Sequence, residues 1–345
     1  MPSAPPNPKP LRVSVIIPVR NGAQFIGQAI DSILSQTLTD LELLVVDDAS
    51  TDNTPEIIQS YGDPRLRCLR NPQCLGVSAS RNRAMAEARA PYVAFLDADD
   101  IAYPQRLEMQ VAYLENNPSV ALVGSHLDYI DAKGQQLYSE QPGQRPCAPQ
   151  ALRLELLHRA CILPSTAMGR TSALREVGGF SKLDYAEDHD LWCRLAVKHD
   201  LAVMPDRLVA YRQHPNQATF KKISIAYHAT QACIGRTKAL FLEAGIISGD
   251  EIPPPLGLWG KLRGARGSLG AAYAQWAGLH SWALREPRHA ISLSSMALWA
   301  SPLNIMAWRI LLRSMVELAL PATLFRALRW YGTKLRDTLG GKQSD

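Results

Sequence analysis

Residues 92–100 (YVAFLDADD) are the stretch best equipped for chemistry: a short apolar run of β-forming residues stops at three carboxylates, Asp97, Asp99 and Asp100. In extended backbone alternate side chains share a face, so Asp97 and Asp99 can converge on one hard cation. Clustered carboxylates repel one another unless a cation or a proton offsets the charge. A lone D-x-D is most often a solvated turn after a strand, and its weight rests on the residues around it. Other carboxylates follow the same pattern. Asp47 and Asp48 close a second apolar strand, and Glu187 and Asp188 open a helix after a glycine pair. His214, in a Tyr-Arg-Gln-His segment, can ligate a metal or hydrogen-bond a phosphate as a neutral imidazole.

The elements that must position these residues alternate along the chain. Residues 13–18 are dense in β-branched side chains and predict a buried strand. Asn21 then predicts an N-cap for a helix running to Gln36 on the repeat of Ile26, Ala29, Ile30, Ile33 and Leu34. Strands are expected at 43–46 and 65–69, a proline-started helix at 54, and a helix at 76–88 carrying Arg81, Asn82 and Arg83. Strand and helix alternating to Asp97 imply a parallel sheet covered by helices. Its right-handed crossovers place Asp47, Asp48, Asp97 and Asp99 along one edge.

Beyond a helix at 104–115 the pattern changes. Strands at 120–124 and 128–131, a Lys133-Gly134 turn, a helix at 150–159 and a strand at 165–169 read as antiparallel additions. Gly178-Gly179 reads as a flexible joint, and 184–198 and 201–212 as the closing helix and strand.

Composition divides the 345 residues near Phe220. Residues 1–220 carry 21 Lys+Arg against 25 Asp+Glu, whereas 221–345 carry 16 against 7 and hold six of the seven tryptophans. The proline-rich start, 1–10, lacks an apolar signal core and reads as a disordered leader. Six cysteines without any C-x-x-C spacing argue for reduced thiols in a cytoplasmic protein and against a zinc site. No apolar run of about 18 residues is present, which excludes a membrane span.

Taken in order, VSVIIPVRNG, LELLVVDDASTDNT, NPQCLGVSASRNRA, YVAFLDADD, AEDHDLWCRLA and YRQH resemble the family 2 glycosyltransferases over roughly residues 11–217. The resemblance implies the A-type glycosyltransferase fold, a Rossmann-like α/β mixed sheet sandwiched by helices, followed here by an all-helical C-terminal region. It implies an inverting enzyme taking sugar from a nucleotide-sugar, with a UDP-linked donor expected, to a cell-surface polysaccharide or lipid-linked glycan. On that resemblance Pro18, Val19, Arg20, Asp47 and Asp48 hold base and ribose, and Arg81 contacts the nucleotide. Asp97 and Asp99 bind ribose and a divalent cation, Mg2+ or Mn2+. His214 helps hold the diphosphate or the metal, Asp188 is the catalytic base, and Glu187 caps its helix. Ala218 stands where the family often has serine. A different class stays open: a non-catalytic nucleotide-sugar-binding or scaffold protein. A nucleotidyltransferase would want a glycine-rich, lysine-bearing loop after the first strand, and PVRNGAQF is not one.

The chemistry suits these residue types. Glycosyl transfer passes through an oxocarbenium-like transition state while charge gathers on the leaving diphosphate, which a carboxylate-held cation stabilises. The tail, read as helices at 271–286, 290–300, 302–318 and 321–339, fits two descriptions equally. One is interfacial helices giving peripheral contact with the inner face of a membrane; the other is a small bundle. Residues 273–302 also resemble one tetratricopeptide-like hairpin. A basic surface alone is not base readout, so no nucleic acid partner is expected.

Overall fold

Two fully buried strands, β1 (Val13–Val19) and β2 (Leu41–Asp47), start the sheet because their β-branched and leucine side chains fit a surface covered on both faces. They pair in parallel, Val13 with Leu41 through Val19 with Asp47. The computed structural model describes residues 10–140, 147–158, 160–214, 217 and 223–247, with short pieces at 294–295, 308, 310–312 and 314–315. Along the chain follow α1 (Ile26–Leu34), α2 (Thr54–Gln59), β3 (Leu66–Arg70), α3 (Val77–Glu87), β4 (Tyr92–Phe95), β5 (Ile101–Ala102) and α4 (Arg106–Asn116). Then come β6 (Val120–Ile130), β7 (Gln136–Ser139), α5 (Pro149–Glu155), β8 (Met168–Arg170), α6 (Thr171–Glu176), α7 (Glu187–Lys198), β9 (Asp200–Arg212) and a last helix, α8 (Ile223–Glu243).

The sheet runs β3-β2-β1-β4-β8-β6-β9-β5, with β7 beside β6. Its first four strands are parallel, so Asp47 and the acids after β4 leave one edge, as the alternation predicts. The period of two sorts the core. Val13, Val15 and Ile17 face one cluster with Ile26, Leu107 and Val111, while Ile16 faces another with Met85, Phe95 and Trp192. A buried Glu42 interrupts β2 and is satisfied by the Ser14 hydroxyl at 2.7 Å and by Arg67 and Arg89.

Several boundaries differ from the expectations. The strands expected at 120–124 and 128–131 are one strand, β6, bent by bulges between Ser125 and Leu127. The strand expected at 165–169 starts later, because Pro164–Thr166 forms a 3-10 turn. Asn21 is no N-cap: it sits at φ 52°, and α1 begins only after Phe25. Gly178 and Gly179, at φ 79° and 69°, form a set turn closing α6 and not a loose joint. The Gly179 N–H donates to Leu174 O, and Asn82 binds both the N–H and the carbonyl of Phe180.

One compact unit spans Met1–Ile252 and a second Pro253–Asp345. The composition boundary at Phe220 therefore falls before α8, whose Phe241 is fully buried in the Trp192 cluster and whose Arg236 reaches Asp190 of α7 at 3.8 Å. Residues 1–9 of the expected leader 1–10 and nearly all of the tail's expected helices lie outside the described residues. Among the described residues no helix is long and apolar enough to cross a membrane, and all six cysteines are free.

The turns after β1 and β2 are laced together. Asn21 N–H donates to Ser50 Oγ at 2.9 Å, Gly22 N–H to Thr54 Oγ1 at 2.9 Å, Ala23 N–H to Asp52 Oδ2 at 3.1 Å, and Thr51 N–H to Asn21 Oδ1 at 2.8 Å. Asp52 alone accepts from Ala23 and from the amide and hydroxyl of Thr54. Asp52→Ala should cost roughly 1–3 kcal/mol in urea denaturation, since it leaves these partly buried donors without an acceptor. An unchanged midpoint would mean that water replaces the carboxylate.

Candidate active site

The parallel strands deliver their acids to one edge of the sheet, yet each acid is held differently. Asp48 is 4 % exposed and accepts from Leu75 N–H at 2.8 Å, Gly76 N–H at 2.9 Å and Asn71 Nδ2 at 2.8 Å. Burial raises its pKa, but the Leu75 amide, Asn71, the Gly76 amide and Cys74 outweigh that and hold the carboxyl below its ordinary value. The carboxylate ties the start of α3 to β2 and has little capacity left for a ribose. Asp47, fully buried, accepts from Ser50 N–H at 3.0 Å through Oδ1, while Oδ2 has no hydrogen-bond partner and lies 3.4 Å from Arg70 Nε. Beside it an open cleft of about 510 Å³ is lined by Ala49, Ser50, Thr51, Arg70, Asn71 and Pro72. Pro18 and Val19 are buried in β1, and exposed Arg20 reaches Cys74 Sγ at 2.6 Å.

Arg81 joins the other two acidic groups. It projects from α3 with its side chain 3 % exposed, Nη2 donating to Asp97 Oδ1 at 2.7 Å and Nη1 to Glu187 Oε1 at 2.8 Å. Burial disfavours its charge, but Asp97 and Glu187 more than compensate. Arg81, expected to contact a nucleotide, bridges the acid turn after β4 to α7. Glu187 makes no side-chain cap; it is the counter-ion. Asp188 stands next to this pair. Burial first, and the charge of Glu187 second, push its carboxyl up to about 7 against the lowering effects of the His189 amide and Arg81. Ala186 precedes them at φ 61°, in the left-handed region, and so turns the chain into α7.

Asp99 and His214 form the third group. His214 Nε2 lies 2.9 Å from Asp99 Oδ2, and the imidazole packs on Phe25 with ring centroids 4.9 Å apart. Between them works Arg212, which the sequence reading passed over although it stands in the same Tyr-Arg-Gln-His segment. Its side chain is fully buried. Nε donates to Asp99 O at 2.7 Å, Nη1 to Asp131 O at 3.1 Å and Ala132 O at 3.3 Å, and Nη2 to Gln28 Oε1 at 2.7 Å. Its own N–H donates to Asp100 Oδ1 at 2.8 Å. Asp100 is completely buried, and burial together with Asp99 and Asp97 raises its pKa well above the ordinary value, which favours the neutral acid. Among the described residues no group of three or more His, Cys, Asp or Glu side chains is placed to hold a metal by itself.

A mixed sheet flanked by helices, with carboxylates gathered at the carboxyl ends of its parallel strands, is an α/β fold of the kind that binds ligands at a strand-end crevice. Similarity makes the class definite. Residues 14–178 match the glycosyl transferase family 2 model. An uncharacterized glycosyltransferase of Haemophilus influenzae is 33% identical over 216 residues, covering 60% of this chain and 67% of that protein. The putative glycosyltransferase EpsE of Bacillus subtilis is 30% identical over 229 residues, 65% of this chain and 80% of its own. In structure, Staphylococcus aureus TarS 1-349 in complex with UDP-GlcNAc superposes with a TM-score of 0.54 at 18% identity, over 87% of this chain and 90% of that one. The chain belongs to glycosyl transferase family 2 and is an enzyme of glycosyl transfer. Its A-type fold is that of TarS.

Two expectations follow from the held charges. Arg212→Lys keeps the charge but loses the forked donors, so urea unfolding should show a loss of at least about 2 kcal/mol, buried carbonyls being left unpaired; a smaller change would show that the fork is dispensable. For Asp188, raised from its ordinary 3.8 to about 7, the native state favours the protonated form. That contribution is fully present below the unfolded pKa and is lost as pH rises through 7. Asp188→Asn should therefore stabilise the fold at pH 8, by up to about 4 kcal/mol, and change little at pH 4. A melting temperature at pH 8 that stays the same or falls would contradict the placement of this carboxyl.

Proposed function

We propose that the enzyme transfers a sugar with inversion from a UDP-linked donor to a glycan or lipid-linked acceptor of a cell-surface polysaccharide, with Asp188 as general base. The observation that carries this reading is the Asp97–Arg81–Glu187–Asp188 chain, which fixes one carboxyl close to physiological pKa beside the acid turn after β4. A base of that pKa can take the proton of an acceptor hydroxyl as it attacks, an effect of about a hundred- to ten-thousandfold. The Asp47 oxygen left without a partner can accept from a base N–H, and the cleft lined by Ser50, Arg70 and Asn71 has room for the ring. The likeness of fold to TarS, described in complex with UDP and with UDP-GlcNAc, supports a nucleotide-sugar of this kind.

Asp99 and His214 fit a divalent cation, Mg2+ or Mn2+, that completes its shell with substrate and water. Such ions are ordinarily held by one or two carboxylates plus phosphate oxygens, and an oxygen–imidazole pair 2.9 Å apart can share that position. When bound, the ion would offset the negative charge that grows on the leaving diphosphate. Arg212 keeps Asp99 in place, Phe25 backs the imidazole, and Asp188 removes the acceptor proton from the opposite side of the sugar.

Calorimetry with UDP and other nucleoside diphosphates, with and without Mn2+, tests the donor. Binding of UDP should strengthen with Mn2+, and that dependence should vanish in Asp99→Ala. Absence of nucleotide binding in the wild type would remove the reading. Once the donor is known, kcat/KM should climb with pH through an acid limb near 7, and Asp188→Asn should lose that limb with nearly all activity while still binding UDP.

A further inference from the structure

The short strand β7 stands at a point that the donor reading leaves unused. β6 has two edges. β9 follows one of them to Ile130 and Arg212, whereas β8, which links β6 to β4, occupies the other only at Leu122 and Val123. Higher on that second edge β7 pairs with Asp128–Ile130. β6 runs in the same direction as β4, so β7 lies toward the carboxyl ends, on the edge of β6 that faces the chain emerging as Asp97, Ala98 and Asp99. It thus stands on the side of the acid turn.

Three tyrosines cross these strands in one row. Tyr138 of β7 pairs with Tyr129 of β6, and Tyr129 pairs with Tyr211 of β9, so all three share a face of the sheet. Tyr129 and Tyr138 are stacked, with centroids 4.2 Å apart and planes 19° from parallel, and Tyr211 meets Tyr129 edge-on at 5.8 Å. Tyr211 lies close enough to Asp100, Asp99 and Asp97 for their charges, added to its burial, to raise its pKa. The row thus begins at the acid turn and ends at Tyr138, which is 45% exposed. Its position is indexed to the chemistry, because Arg212 holds both Asp99 O and the Asp131 and Ala132 carbonyls of the turn leading into β7.

An exposed, rigidly backed aromatic face in one row with the acid turn suits one kind of ligand especially. The axial C–H groups of a pyranose carry slight positive charge and meet the negative face of the ring, while the sugar's hydroxyls stay in water at its rim. We propose that β7 forms an acceptor subsite in which the outer face of Tyr138 stacks on a pyranose ring of the acceptor glycan. This rests on the reading of the enzyme as one that adds sugar to a glycan.

The test uses the full chain loaded with UDP and Mn2+, with cellobiose and N,N′-diacetylchitobiose as probes in saturation-transfer NMR. Transfer to the ring C–H protons is expected in the wild type. Affinity should weaken about tenfold in Tyr138→Ala, in keeping with the worth of one aromatic contact, and persist in Tyr138→Phe and Tyr138→Trp. UDP affinity by calorimetry should be the same in all four proteins, which also reports that the variants are folded. Equal binding of either disaccharide by Tyr138→Ala, or no binding of both by the wild type, would overturn the subsite while leaving the donor reading intact. A wild type that binds no UDP would overturn the donor reading, and this subsite with it.

Discussion

Like charge is the constraint on which this molecule is organised. Asp97, Asp99 and Asp100 fall within four residues, at the end of a strand buried on both faces, and a buried unpaired carboxylate is among the costliest groups a fold can carry. Each acid is treated separately. Asp97 is paired with Arg81, Asp99 with His214, and Asp100, buried without a cation in contact, is favoured as the neutral acid. Behind the turn another buried arginine, Arg106, donates to Phe95 O at 2.8 Å and Ala167 O at 3.2 Å, and burial lowers its pKa to about 9 with Asp100 opposing. Arg106 Nη1 and Asp100 Oδ2 are both without hydrogen-bond partners. Two groups that would each prefer to be less charged thus sit within electrostatic range, and the backbone between Phe95 and Asp100 is fixed from behind as firmly as from the cleft.

The same logic couples the acid turn to Asp188. Arg81 touches Asp97 on one side and Glu187 on the other, and its charge lowers the pKa of Asp188 while Glu187 and Asp97 raise it. Protons on such a group belong to the cluster and not to one residue. Any anion that draws Arg81 away from Glu187, or any cation that settles near Asp97, must move the titration of Asp188. Any charged group that settles at the acid turn and the protonation of Asp188 are therefore linked through one guanidinium, with no shift of secondary structure required.

What the sequence discloses, and what it hides, divides along physical lines. Parallel strands, their helices and the common edge of the acids are legible because periodicity and turn residues are local properties, and 3.6 and 2 are read directly from spacing. Partners are not local. Asp48 looks like Asp47 until four donors from residues 71–76 are seen around it. Glu187 at a helix start is a dipole complement by position, and only the fold brings Arg81, 106 residues away, to meet it. The tyrosine row is invisible for the same reason: Tyr129, Tyr138 and Tyr211 have no common spacing, and the register of three strands aligns them. Arg212 could have been found, since it stands two residues before the histidine that attracted notice.

Backbone strain marks the same places as the charges. Among the described residues, the non-glycine residues in the left-handed region are Asn21, Ala49 and Ala186, a conformation costing roughly 1–2 kcal/mol for an L-residue with no local hydrogen bond to offset it. Asn21 offsets its own cost by accepting from Thr51. Ala49 and Ala186 have no such side chain and persist because their neighbours are pinned: Asp48 N–H to Val19 O and Ser50 N–H to Asp47 in one case, Asp190 N–H to Ala186 O and Glu187 to Arg81 in the other. Each of the three follows a strand of the parallel edge or precedes the helix that carries Asp188. A relaxed turn there would let the chain leave the sheet gradually. The strained one turns it within a residue, and that abrupt change of direction is what keeps Asp47 under its cleft and puts Glu187 against Arg81, with Asp188 beside them.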